Sequence, residues 1–83
     1  MVKASSLFAS LVTTRGATKF SDFERVLLAF GFRHDRTKGS HRIYIHPNVP
    51  RPLSIQPRGG EAKPYQIRQF LDMVEKYGLT LSD

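Results

Sequence analysis

The residues best suited to chemistry in this chain form one tetrapeptide, Lys38-Gly39-Ser40-His41. An imidazole has an ordinary pKa of about 6.5, so it can take or give a proton near neutral pH. Glycine lets the backbone turn tightly and lets a ligand approach closely. The serine hydroxyl can bond a phosphate oxygen or orient the imidazole. The tetrapeptide therefore predicts proton transfer beside a phosphate, with His41 as the group that moves the proton.

RNA cleavage is the phosphate chemistry that needs least from the protein. The 2′-hydroxyl of RNA is its own nucleophile, so cleavage requires a base, an acid and cations that stabilise charge on the phosphorane. A well-placed acid–base group contributes on the order of 10²–10⁴ in rate. The leading hypothesis is therefore metal-independent RNA cleavage with His41 as the catalytic residue.

Metal binding and serine catalysis are the chemical alternatives. The spacing of His34, His41 and His46 matches no zinc pattern, and neither cysteine nor a paired carboxylate completes a ligand shell. No acid is tied to His41 in a way that would make Ser40 a triad nucleophile. We therefore expect neither a metal ion nor another cofactor.

The three histidines also have structural interpretations. His41 has the same parity as Ile43 and Ile45, so in a regular strand it would face the helices as a hydrogen-bonded core residue. His46, before a proline, is typical of a strand end, and His34 of an exposed surface. Either of these two could instead be the second proton donor. The sequence leaves both interpretations open.

The composition indicates a small basic protein. The 83 residues include 13 Lys plus Arg against 7 Asp plus Glu, which gives a net charge of +6. Such a balance predicts a polyanionic or acidic partner. The absence of cysteine excludes disulfides, and the apolar run 7–12 is too short for a membrane span or a signal peptide. We expect one compact domain, residues 1–83, located in the cytoplasm.

Hydrophobic periodicity predicts the helices that position the tetrapeptide. Residues 7–12 indicate a short N-terminal helix that stops near Gly16. Ser21 as the N-cap, with Glu24 three residues on, forms a capping box that predicts a helix over about 21–30, ended by Gly31. A last helix runs from Pro64 to Gly78.

Between the helices the period changes to two, which predicts three antiparallel strands. These strands are residues 32–37, 41–46 and 53–56, with a turn at 38–40. Prolines at 47–52 predict a loop, and residues 57–60 predict a flexible basic loop. A sheet with one apolar face must be covered by the helices. The fold class is therefore α+β: a double-stranded-RNA-binding-domain-like αβββα sandwich, with a three-stranded antiparallel sheet, helices on one face and a short N-terminal helix.

Basic residues cluster around the predicted turn and loops. Arginine and lysine side chains there, with the N–H groups at the start of the last helix, favour phosphate binding. An ordinary solvated surface is the alternative for any single one of them. The predicted RNA-binding residues are Lys38, Gly39, Ser40, Arg42, Arg58 and Lys63.

Six pieces in this order resemble one known family. They are Phe32, Thr37-Lys38-Gly39-Ser40-His41, Ile43-Tyr44, His46-Pro47, Gly60-Glu61-Ala62-Lys63-Pro64 and Ile67-Arg68-Gln69-Phe70-Leu71. Over about residues 20–80 the chain resembles the HicA toxins, also called YcfA-like mRNA interferases. The resemblance implies mRNA cleavage in a toxin–antitoxin system, a catalytic role for His41 and a HicB-type antitoxin as partner. Residues 1–18 lie outside the pattern, as a short helical extension of the core.

Two other functions fit the same residues. The chain could be a non-catalytic RNA-binding domain of this fold, with a structural His41. It could also be a protein-interaction module whose positive surface binds an acidic partner.

Overall fold

The computed structural model describes residues 3–13 and 17–82. Three helices and a three-stranded sheet make up the predicted α+β arrangement, and a two-stranded hairpin adds to it. The order αβββα after the first helix is confirmed. The elements are α1 (Ala4–Thr13), α2 (Phe20–Ala29), β1 (Arg33–Lys38), β2 (His41–His46), β3 (Val49–Ile55), β4 (Pro57–Arg58), β5 (Glu61–Ala62) and α3 (Pro64–Tyr77).

The three-stranded sheet is antiparallel, in the order β1-β2-β3. Tyr44 on the central strand is buried and pairs with the fully buried Leu53 on β3. Successive side chains of a strand point to opposite faces. Ile43 and Ile45 therefore lie on the face away from the helices, and both are only partly buried. The predicted alternation is right, but the assignment of its two faces is wrong. We call the helix-covered side the core face and the other side the outer face.

The core is centred on Phe70 of α3. Its ring makes edge-to-face contacts with four other phenylalanine rings, at centroid distances of 5.3 to 6.4 Å, a geometry that aromatic pairs favour. The four are Phe8, Phe23, Phe30 and Phe32. One of them, Phe8, belongs to α1, so the N-terminal helix packs onto the same core.

The start of α2 differs from the prediction. The helix begins at Phe20, one residue before Ser21, and the N-cap is Lys19, with no side-chain cap. The buried Phe20 donates its backbone N–H to the carbonyl of Gly60 at 3.0 Å. The carboxylate of Glu24 is bound by side chains of β2 instead of by the helix end. The capping box is therefore wrong, because the helix begins before Ser21 and the Glu24 carboxylate is taken by tertiary contacts with β2.

Both predicted loops contain strands. Residues 47–52 make a short turn and then the first half of β3, a strand at the edge of the sheet, where a proline without an N–H group is tolerated. Residues 57–60 belong to the β4–β5 hairpin. The N–H of Ala62 donates to the carbonyl of Thr18 at 2.8 Å, so this hairpin joins the start of α2 to the start of α3.

The predicted helix ends are otherwise close to the observed ones. Gly31, with φ of +93°, follows the end of α2, and α3 ends at Tyr77 before the C-cap Gly78. The predicted stop at Gly16 falls outside the described residues. In the described part of the chain, no helix combines the length and the apolar character that a membrane span requires.

Candidate functional site

His41 is exposed at the start of β2, directly after the hairpin turn. Its partner across the strands is Lys38, and paired residues of an antiparallel sheet share a face. Both side chains therefore lie on the outer face. Within the part of the chain that the structure describes, no hydrogen bond joins the imidazole to another group. The core-histidine interpretation of His41 is wrong.

The turn before His41 has only two residues, Gly39 and Ser40. Gly39 has φ of +63°, a left-handed conformation that residues with a Cβ rarely adopt. Hairpin turns of two residues need such a conformation to match the twist of the strands. The predicted role of Gly39 in the turn is confirmed, and among the described residues other than Gly39 and its two chain neighbours no heavy atom lies within 4 Å of where a Cβ would be. The turn is therefore open to a ligand.

A hydrogen-bonded chain fixes Ser40. The amide Nε2 of Gln56 donates to Ser40 Oγ at 2.7 Å, and Lys63 Nζ donates to Gln56 Oε1 at 3.0 Å. The backbone N–H of Gln56 donates to Oε1 of the buried Gln66 at 3.1 Å. Two predicted site residues from distant parts of the sequence are thus brought together. The sequence interpretation missed Gln56 as a site residue; its only signal was a polar side chain at the end of the predicted third strand, directly before the basic loop.

The outer face of β1 adds two further cations. Arg36 pairs with Ile43, and Arg33 pairs with Ile45. With Lys38 they form a row of three positive side chains opposite His41 and the two isoleucines. Arg36 also forms an exposed ion pair with Asp35. The sequence interpretation named Arg36 among the basic residues that flank the turn, but it did not include Arg33, because the face of Arg33 depends on the strand register.

Arg42 lies on the core face, in contact with α2. Its Nη1 donates to both carboxylate oxygens of Glu24 at 2.8 Å, and its guanidinium lies 5.2 Å from the centroid of the Phe20 ring. The hydroxyl of Tyr44 donates to the same carboxylate at 2.7 Å. The hydrogen bond to Glu24 raises the pKa of Arg42. Burial, and then the bond to Glu24, raises the pKa of Tyr44. RNA binding by Arg42 stays a prediction for a side chain that already has a partner.

His46 is tied into the end of the sheet. Its Nδ1 accepts the backbone N–H of Asn48 at 3.0 Å, so Nε2 carries the proton that it donates to the carbonyl of Phe30 at 2.9 Å. The ring lies 5.0 Å from that of Phe32, and a Cβ on Gly31 would lie 3.1 Å from Nε2. Both nitrogens are thus occupied, which fits the predicted strand-end role.

His34 is exposed but lies on the core-face side of β1. Its Nε2 lies 2.9 Å from the hydroxyl of Thr37, and its ring lies 5.3 Å from that of its pairing partner Tyr44. The sheet separates both His34 and His46 from His41. Neither is brought to the side of the sheet where His41 lies.

The remaining predicted residues lie in the β4–β5 hairpin and directly after it. Arg58 is exposed in β4, and Lys63 is the N-cap residue of α3. Both line a groove beside α1 and α3. Within residues 3–13 and 17–82, no three side chains of histidine, cysteine, aspartate or glutamate lie close enough together to hold a metal ion. The expectation of metal independence stays a prediction.

Comparisons with known proteins bear on the family of this chain. Neither the curated proteins nor the solved structures contained a match. The model of one protein family, described as the HicA toxin of bacterial toxin–antitoxin systems, matches residues 20–75. The match covers more than half of the 83 residues and includes the turn, β2 and most of α3. The chain belongs to the HicA toxin family.

Proposed function

We propose that this chain is an endoribonuclease toxin that cleaves mRNA without a metal ion, with His41 as the acid–base residue. The observation that carries the proposal is the position of His41. It is exposed after a tight glycine turn, paired with Lys38, and next to a serine held by Gln56. Family membership supports the role of toxin.

The chemistry needs one imidazole and neighbouring cations. His41 takes the proton of the 2′-hydroxyl while that oxygen attacks the phosphorus. The bond from phosphorus to the 5′-oxygen then breaks, and the protonated imidazole returns a proton to that oxygen. Lys38, opposite His41, stabilises negative charge on the phosphorane. The products are a 2′,3′-cyclic phosphate and a 5′-hydroxyl end.

RNA binding is assigned to both sides of the turn. Ser40 and Lys63 are connected through Gln56, so they can contact neighbouring phosphates. Lys38 and Gly39 of the turn, together with Arg58 of β4, extend this surface. Arg33 and Arg36 continue it along the outer face. We assign Arg42 to holding β2 against α2, through its two bonds to Glu24.

The partners follow from the family and the charge. Toxin families of this kind have an antitoxin partner and an RNA target. A HicB-type antitoxin, an mRNA substrate and a cytoplasmic location are the specific assignments that we propose. Residues 1–83 are proposed as one domain, in which residues 1–18 extend the core.

Incubation of the purified chain with RNA, with and without EDTA, tests the proposal. We expect equal cleavage in both samples and 2′,3′-cyclic phosphate ends in the products. Cleavage that EDTA abolishes and a divalent ion restores would overturn the metal-independent mechanism. RNA binding that falls with salt, without any cleavage, would support the non-catalytic alternative instead.

A further inference from the structure

A groove of about 740 Å³ lies between α1 and α3, with the β4–β5 hairpin at its base. Leu11 and Val12 line it from α1, and Ile67 and Leu71 line it from α3. Ala62 of the hairpin adds to the apolar surface. Val12 remains 57% exposed. The groove thus presents aliphatic side chains that the described part of the chain leaves partly uncovered.

One wall of this groove lies outside the part of the chain that matches the family model. The family match begins at residue 20, whereas α1 spans Ala4–Thr13. The helix is anchored by Phe8, whose ring lies 4.8 Å from that of Phe30, and by the buried Leu11. Because these contacts hold α1 on the core, the groove is preformed.

The charges at the rim of the groove favour an acidic occupant. Among the residues that the structure describes, Arg58, Lys63 and Arg68 line it, against a single carboxylate, Glu61. Both arginines are exposed. A segment that is aliphatic on one side and acidic on the other would match both the apolar floor and the basic rim.

We propose that the groove binds an acidic amphipathic segment of the antitoxin. This inference rests on the proposed function only in naming the antitoxin as the partner. Lys63 lines the groove and also bonds Gln56, which holds Ser40 beside His41. An occupant that pairs with Lys63 and Arg58 therefore prevents these two cations from binding RNA. Antitoxin and RNA compete, and α1 contributes to the choice of antitoxin.

Val12→Asp tests the apolar part of the groove, because it places a carboxylate where the acidic segment would lie. The probe is a purified antitoxin of HicB type, with affinity measured by calorimetry. We expect at least a tenfold loss of affinity, with RNA cleavage in the absence of antitoxin unchanged. The matched control is Leu28→Asp on α2. Leu28 is also an exposed aliphatic side chain, at 54% exposure, but it does not line the groove. It should leave both measurements unchanged.

Arg68→Glu tests the charged rim, with Lys76→Glu on the same helix as the control of equal charge change. We expect the first to weaken antitoxin binding at least tenfold and the second less than threefold.

Three outcomes would overturn the proposal. If Val12→Asp and Arg68→Glu bind the antitoxin with the same affinity as the wild type, the groove is not the antitoxin site, and the proposed nuclease is unaffected. If the wild type is a dimer and Val12→Asp is a monomer, the groove binds a second copy of this chain, which also overturns the proposal. Wild type that cleaves RNA but does not bind this antitoxin would overturn the assigned partner.

Discussion

The two faces of the sheet differ in how their polar side chains are used. On the core face, Arg42 and Tyr44 share the carboxylate of Glu24, and both ring nitrogens of His46 are hydrogen bonded. On the outer face, His41 has no hydrogen-bond partner within the described residues, and it lies opposite Lys38. Polar groups engaged within the chain stabilise the fold, whereas those left free can meet a substrate. We therefore expect the face on which a histidine lies, and not its residue type, to separate the structural role of His46 from the proposed catalytic role of His41.

Replacement of one histidine on each side of the sheet is the sharpest test of this comparison. We expect His41→Ala to lower cleavage by about a hundredfold or more, the loss of one proton-transfer group, with little change in melting temperature. His46→Ala should lower the melting temperature and change cleavage little, because it leaves the Asn48 N–H and the Phe30 carbonyl unpaired. Thermal unfolding and RNA cleavage are measured on the same preparations. A destabilised His41→Ala variant that still cleaves at nearly the wild-type rate would reverse the assignment.

The core-face cluster predicts the next largest effect. Glu24→Ala leaves the Arg42 guanidinium and the Tyr44 hydroxyl without their acceptor. We expect the free energy of unfolding to fall by about 1–3 kcal/mol, with cleavage well below the melting temperature retained. Glu75→Ala, an exposed glutamate of α3, is the control and should change stability by less than about 0.5 kcal/mol. Chemical denaturation measures both. Equal stability of the two variants would mean that the cluster does not hold β2 against α2.

Gln56 connects the turn to α3, so its removal should affect chemistry more than stability. We expect Gln56→Ala to lower kcat by roughly threefold to tenfold, the effect of one lost orienting hydrogen bond. Gln56→Glu keeps the acceptor for Lys63 and can accept a bond from the Ser40 hydroxyl in place of donating one to it. The kcat should therefore recover, but the new charge should raise KM for RNA. Gln69→Ala, an exposed glutamine of α3, is the control. Identical kcat in the alanine variant and the wild type would remove Gln56 from the site.

The basic row on the outer face predicts the smallest effects. Arg36→Ala and Arg33→Ala should each weaken RNA binding a few-fold, to a similar extent for all sequences. Each should also lower the slope of log affinity against log salt by about 0.7, the value for one phosphate contact in a single strand. Lys76→Ala, on the far end of α3, serves as the reference. Slopes that match this reference would place the RNA path elsewhere.

The sequence predicts those features that depend on near neighbours along the chain. Phe23, Val26 and Leu27 recur at helical spacing, and all three are buried. The faces of β2 were assigned in reverse, because the burial of Tyr44 depends on Glu24, twenty positions away. Sequence spacing also could not decide whether His34 or His46 lies near His41, because that depends on strand pairing.

The candidate site divides along the same line. The turn before His41 was predicted, because its glycine and serine are adjacent in the sequence, whereas the catalytic role of His41 stays a prediction. Gln56 was missed, since its partners Ser40 and Lys63 lie sixteen and seven positions away. The strand in the proline-rich segment was missed because only the strand order shows that β3 is an edge strand.

The central place of Phe70 has a consequence for the timing of synthesis. Four phenylalanine rings contributed by residues 8–32 all contact this single ring in α3. While the ribosome has not yet released α3, those rings have no common partner, and Lys63 has not joined Gln56. We expect a chain truncated after residue 62 to lack a cooperative unfolding transition by circular dichroism. A nascent chain of the proposed ribonuclease would then remain inactive until α3 has been synthesised and has left the ribosome.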